Sequence, residues 1–167
     1  PPAERQIVKG ALAIIVHSCE MPQGNYWGRR VAEAAIETLN AADDIGLIEK
    51  GGQGATWVYR LQPVGDRVGA LSAAKQLTFG DMQMFQPSMQ MALQGLVATD
   101  AGQRHVIIIS DGDPQPPSAN LLTQYVDNGV TCTTIMVGGH GNNALHEQVM
   151  QRIATITGGT YYRVKDP

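Results

Sequence analysis

Two short, uninterrupted apolar runs constrain the fold of this chain more than any other feature. Residues 11–16 and 106–109 carry hydrophobic side chains only. A strand with one face in water alternates apolar and polar residues, whereas a strand covered on both faces is apolar throughout. These runs therefore predict central strands of a parallel sheet that has helices on both of its faces.

Segments with helical periodicity alternate with strand-like segments along the chain. The predicted strands are residues 11–16, 45–49, 56–61, 106–109, 131–137 and 160–164. The predicted helices are residues 25–40, 66–77 and 87–98, one between Ser118 and Asn128, and one between Asn143 and Gly158. The glycine-rich residues 51–54 join the second and third strands as a hairpin, which places one antiparallel strand at an edge. The sequence thus predicts a three-layer, doubly wound, Rossmann-like α/β fold with a mostly parallel sheet and helices on both faces.

Composition excludes several classes of protein. The length of 167 residues is that of a single domain, which we assign to residues 1–167. Hydrophobic residues make up 43% and charged residues 16%, values that exclude an intrinsically disordered chain. The formal charge of −3 gives no basis for binding nucleic acid, and no apolar run approaches the roughly 20 residues needed for membrane insertion. Because the chain opens with Pro1-Pro2, we expect it to be one domain of a larger protein of undetermined compartment.

Two segments carry a resemblance to a known family. Ser110-Asp111-Gly112-Asp113, directly after an apolar run, is similar to the strand and "DG" signature of von Willebrand factor type A domains. Residues 152–162, with their Thr-Gly-Gly-Thr-Tyr-Tyr ending, resemble the usual close of that family. More narrowly, the chain resembles bacterial type A domains that occur within larger, often membrane-anchored proteins. The resemblance implies a non-enzymatic module for protein–protein interaction, in adhesion or assembly.

Type A domains usually bind a divalent cation at a metal-ion-dependent adhesion site, and the resemblance extends to that site only in part. The family pattern is Asp-x-Ser-x-Ser after the first strand, a Thr in the second loop and an Asp in the third. In this chain Ser18 and Asp111 match the pattern. Val16, Glu20 and Gln83 depart from it, so the resemblance implies a degenerate site.

Two interpretations of the altered site stay open. The site is lost if nothing replaces the oxygen that Val16 lacks, and the surface then acts by shape and charge alone. Alternatively the site is rebuilt, with Ser18, Glu20 and Asp111 as first ligands and Asp113 and Asp81 as further ones. Hard oxygen ligands of this kind suit Mg²⁺ or Ca²⁺.

The predicted binding face is the rim at the carboxyl ends of the strands, since ligands of such sheets bind there. It comprises residues 17–23, 81–86 and 111–117, with His17, Gln83 and Phe85 as predicted contacts to a protein partner. Phe85 stands among several methionines, which form either an apolar surface patch or part of the core.

A second hypothesis comes from another functional class. His17 and Cys19, together with His140, would make a soft-metal site or the thiol and base of a Cys/His hydrolase, and the acidic residues could serve a carboxylate-based one. A fourth zinc ligand is not evident and no catalytic constellation is complete. The sequence therefore favours a binding domain over an enzyme.

Overall fold

The structure, a computed structural model, describes residues 8–17, 24–51, 54–78, 80–138 and 144–164. These residues contain β1 (Gly10–Val16), α1 (Gly24–Thr38), β2 (Asp44–Glu49), β3 (Thr56–Pro63), α2 (Val68–Lys75), α3 (Gln86–Val97), β4 (Gln103–Ser110), α4 (Ala119–Asp127), β5 (Val130–Val137), α5 (Ala144–Thr157) and β6 (Tyr161–Val164). Within these ranges no helix combines the length and the apolar character needed to cross a bilayer.

The strands form one sheet in the order β3-β2-β1-β4-β5-β6. Each neighbouring pair is parallel except β2 and β3, which are antiparallel. This topology confirms the predicted sheet, with its single antiparallel strand at one edge. The chain proceeds outward from β1 in one direction, then returns to place β4 on the other side of β1. The carboxyl ends of β1 and β4 therefore flank the switch point, where folds of this type bind their ligands.

Strand β1 shows why its run of apolar residues is uninterrupted. Ala13 and Ile15 belong to a core cluster that includes residues of α3, α4 and α5. Leu12 and Ile14 belong to a second cluster that includes residues of α1 and α2. Because side chains alternate between the faces of a strand, both faces of β1 lie in core. The two clusters confirm the predicted three layers.

Long-range backbone contacts fasten the loop before α3 to the loop after β4. Met84 forms an isolated parallel bridge with Gln115. The Phe85 amide donates to the Gln115 carbonyl at 3.1 Å, and the Gln115 amide donates to the Gln83 carbonyl at 2.8 Å. Two loops that are distant in sequence are thus held side by side at the carboxyl edge of the sheet.

Candidate functional site

Three segments meet at the switch point. His17 directly follows β1, and its amide donates to the Ile109 carbonyl of β4 at 2.9 Å. Ser110 ends β4 and Asp111 follows it, while Asp81 lies in the loop before α3. Val16 points into the cluster with α1 and α2, so alternation directs the next residue, His17, to the opposite face, where α3 packs.

His17 is a buried histidine with one bonded ring nitrogen. Its side chain is buried at 1% exposure, and Nδ1 lies 2.8 Å from Ser110 Oγ. The other ring nitrogen, Nε2, has no hydrogen-bond partner among the described residues. A buried polar atom left without a partner costs about 1–3 kcal/mol, so this nitrogen calls for an explanation.

Three carboxylates surround the imidazole. Asp111 Oδ1 lies 3.5 Å from Nδ1, whereas Asp81 Oδ1 and Asp113 Oδ1 lie 3.6 Å and 3.8 Å from Nε2. The last two distances exceed those of hydrogen bonds. Asp111 is buried at 2% exposure, while the Asp81 side chain is 58% exposed. The imidazole therefore lies beneath two accessible carboxylates and beside a buried one.

The charge state of His17 follows from the balance of burial and charge. Burial of the imidazole lowers the pKa of His17 below its ordinary value of 6.5. The carboxylates of Asp111 and Asp81 act in the opposite direction and only partly offset this shift. The ring is therefore neutral at pH 7 and retains one lone pair on nitrogen.

The turn after β4 is shaped by a glycine that no other residue could replace without strain. Gly112 has a φ of 82°, and a Cβ on it would lie 2.7 Å from the backbone oxygen of His146 in α5. Its amide donates to Ser110 Oγ at 3.1 Å, and the Asp113 amide donates to Asp111 Oδ1 at 3.1 Å. These bonds hold the Asp111 and Asp113 backbones in place around His17.

Ligand atoms of His17, Asp81 and Asp113 all lie within 4.8 Å of one another. One cation can bridge atoms at that spacing. The described part of the chain thus brings together a nitrogen and two oxygens that could hold a metal ion.

No protein-family model matches the sequence, and no curated protein matches it either. Solved structures do match. BatB, a conserved hypothetical protein from Bacteroides thetaiotaomicron, matches with a TM-score of 0.73 and 17% identity over 96% of this chain and 92% of that chain. A von Willebrand factor type A structure from Catenulispora acidiphila matches with a TM-score of 0.76 and 19% identity over 96% of this chain and 39% of that chain. The vWF domain of the type V pili tip protein Mfa5 from Porphyromonas gingivalis matches with a TM-score of 0.71 and 11% identity over 94% and 90% of the two chains.

The chain has the von Willebrand factor type A fold. Identities of 11–19% establish a likeness of architecture and do not carry the functional residues of those proteins over to this chain.

The residues at this edge fit the all-oxygen cation pattern of type A domains poorly. Val16, at the position of the first Asp in the pattern, is buried among the apolar side chains of the core. Gln83, at the position of the Thr, is exposed on the loop. Asp111 Oδ1 lies 3.5 Å from the imidazole of His17, whose possible ligand atoms are nitrogens.

The structure brings together three of the five predicted metal ligands, since Asp81, Asp111 and Asp113 all approach His17. The other two, Ser18 and Glu20, lie outside the described residues, as do Cys19 and His140 of the alternative hypothesis. The cysteine within the described ranges, Cys132, is fully buried in β5, and burial raises the pKa of its thiol far above the ordinary value. That thiol is unsuited to nucleophilic chemistry.

Two of the three predicted partner contacts are not surface residues. Phe85 is 0% exposed and belongs to the core cluster with Met82 and Met89, because the bridge to Gln115 draws its loop against the sheet. His17 is also buried, beneath the carboxylates. The predicted contacts at these two side chains are therefore corrected to interior positions, and Gln83 remains exposed.

Sequence reasoning grouped His17 with Cys19 and His140 and missed its position beside the carboxylates, although the sequence held a signal for that position. Residues 15 and 17 of an extended strand share a face, so His17 had to point with Ile15 toward α3 and the loop before it.

Proposed function

We propose that this domain is a non-enzymatic protein-interaction module, acting in adhesion or assembly, whose binding face is the rim over the switch point. The observation that carries the proposal is the pair of carboxylates, Asp81 and Asp113, that stand at this rim over the buried His17. Folds of this type bind at the switch point, and clustered charge at an interface fixes the orientation and chemistry of the partner.

The fold neighbours support the same proposal. One of them is a domain of a pili tip protein. Another extends well beyond the matched region, because this chain covers 39% of it. We infer that the present domain likewise works as one module of a larger protein.

The rim can be tested by removing its charge without disturbing the core. The double variant Asp81→Asn, Asp113→Asn changes two accessible side chains. Asp127→Asn is the matched control, because Asp127 is exposed at the end of α4, next to the start of β5 and thus at the opposite edge of the sheet. Each immobilised domain is incubated with lysate of the source organism, and a protein retained by the wild type is purified for affinity measurement.

The proposal predicts that the partner binds the wild type and Asp127→Asn equally, and the double variant about tenfold more weakly or worse. A partner that binds all three domains with the same affinity would place the interface elsewhere. Turnover of a substrate by the domain would contradict the non-enzymatic assignment.

A further inference from the structure

We propose that His17, Asp81 and Asp113 form a binding site for a borderline transition-metal ion of the Zn²⁺ class, with mixed nitrogen and oxygen ligands. This inference depends on the proposed function in one respect, which is that both place the site at the same rim. It differs from the all-oxygen Mg²⁺ or Ca²⁺ site that the sequence suggested, because its central ligand is an imidazole.

The first observation is the orientation of the His17 ring. Nε2 is buried, has no hydrogen-bond partner among the described residues, and faces Asp81 Oδ1 and Asp113 Oδ1. With the ring proton on Nδ1, the lone pair of Nε2 faces two carboxylate oxygens, which is electrostatically unfavourable. A cation between the three atoms would accept the lone pair and offset both negative charges.

The second observation is the support of the ring from its other side. Nδ1 lies within hydrogen-bond distance of Ser110 Oγ, and the carboxylate of Asp111 lies 3.5 Å away. Metal-binding histidines almost always donate the N–H of the second nitrogen to such a group, which fixes the ring and the tautomer. With the proton on Nδ1, the lone pair of Nε2 points to the proposed ion.

The distances favour a small ion after a minor adjustment. Two atoms that each lie about 2.1 Å from a tetrahedral ion are about 3.4 Å apart. The observed separations from Nε2 are 3.6 Å and 3.8 Å. These two separations need to shorten by a few tenths of an ångström. The two carboxylate oxygens lie within 4.8 Å of each other, and Asp81 and Asp113 are accessible side chains that can move together around an ion. The remaining coordination position opens to the rim, where water or a carboxylate of the partner would fill it.

The ligand types select the metal. Mg²⁺ and Ca²⁺ take oxygen ligands, and Mg²⁺ requires nearly ideal octahedral geometry. Imidazole suits Zn²⁺, Cu²⁺, Ni²⁺ and iron, and a site with one imidazole and two carboxylates therefore favours these ions over Mg²⁺.

The test is a calorimetric titration of the chelator-treated domain with Zn²⁺, and in parallel with Mg²⁺ and Ca²⁺. We expect Zn²⁺ to bind at one equivalent at least tenfold more tightly than Mg²⁺ or Ca²⁺. Asp81→Asn and Asp113→Asn should each weaken Zn²⁺ binding at least tenfold, while Asp127→Asn should leave it unchanged. Co²⁺ in place of Zn²⁺ should give visible absorption bands that these two variants lose.

His17→Gln should abolish Zn²⁺ binding, and His105→Gln, at the other end of β4, should preserve it. Since His17 is buried, circular dichroism verifies that the variant folds. If it does not fold, the two accessible aspartates decide the question. The proposal is overturned if Zn²⁺ produces no heat, if it binds the aspartate variants as tightly as the wild type, or if Mg²⁺ or Ca²⁺ binds more tightly. Because no partner is present in this titration, its failure is distinct from a failure of the proposed interaction.

Discussion

Replacing Phe85 with alanine tests whether this residue belongs to the core or contacts a partner at the surface. Phe85 is completely buried and packs in the cluster with Met82 and Met89, just before α3. Its amide is bonded to the Gln115 carbonyl, so the backbone cannot move inward to fill the space that the ring leaves. Removing a buried phenylalanine costs about 3–5 kcal/mol, and the fixed backbone favours the middle of that range or above, about 4 kcal/mol.

For a domain of 167 residues, that loss corresponds to a drop in the melting temperature of about 12 °C. Thermal unfolding monitored by circular dichroism and urea unfolding at 25 °C measure the change. Met84→Ala is the control, since Met84 is adjacent in sequence and 45% exposed, and it should cost less than about 1 kcal/mol. The reasoning is refuted if Phe85→Ala unfolds like the wild type, because the ring would then lie at the surface, as the sequence first suggested.

Three further predictions concern positions away from the rim. Gly159→Ala should destabilise the domain by about 3 kcal/mol, because a Cβ at this position would lie 2.0 Å from the Cys132 carbonyl oxygen. Tyr125→Phe should cost about 1–2 kcal/mol, because the buried hydroxyl donates to the Met89 carbonyl at 2.7 Å. In chelator, stability should fall as the pH drops below about 6.5, and His105→Gln should reduce the fall, because burial lowers the pKa of His105 in the folded state and the unfolded chain then binds more protons.

Matched variants check these predictions by urea unfolding. Gly80→Ala, where a Cβ would meet nothing closer than 3.4 Å, should change stability little, and Tyr162→Phe should be neutral because Tyr162 is exposed. Equal losses in Gly159→Ala and Gly80→Ala would contradict the steric argument. A loss in Tyr162→Phe as large as that in Tyr125→Phe would contradict the hydrogen-bond argument. If the His105→Gln variant and the wild type lose the same stability between pH 7.5 and 5.5, His105 is not the group that titrates.

The fold was predictable because its determinants are local. The run in β1 supplies alternate residues to two cores, and such a run leaves little choice besides a central parallel strand. The helix expected between Ser118 and Asn128 forms as α4, and Ser118 Oγ caps it by accepting the Leu121 amide at 3.1 Å. The start of α2 differs, since the predicted helix began at Asp66 and the observed one begins at Val68. Arg67 has a φ of 72°, in the left-handed region. Residues other than glycine rarely adopt this conformation, so the sequence does not indicate it.

The composition of the rim was less accessible to sequence reasoning. Topology alone predicts that Asp111 and Asp113 lie beside the end of β1, because loops at the carboxyl ends of neighbouring strands share an edge. Asp81 lies in the loop between α2 and α3, so its approach depends on tertiary contacts. The burial of Phe85 depends on the bridge between Met84 and Gln115, residues 31 positions apart, and no local pattern encodes that pairing. Tertiary contacts therefore decide whether a loop residue such as Phe85 is buried. An aromatic residue among methionines is compatible with a position in the core and with one at the surface.

The proposed ion at His17 would link the metal content of the rim to the chemistry of the partner. Without a cation, the rim presents the carboxylates of Asp81 and Asp113 above a neutral ring, and such a surface attracts a basic segment. With a divalent cation on Nε2 and these carboxylates, the most reactive feature of the rim becomes an open coordination position, which prefers an acidic side chain. Under the proposed metal site, the metal content of the rim therefore decides the charge of the preferred partner. We therefore expect the affinity for the partner to differ between Zn²⁺ and chelator. Equal affinity in both would show that the interaction does not depend on the metal.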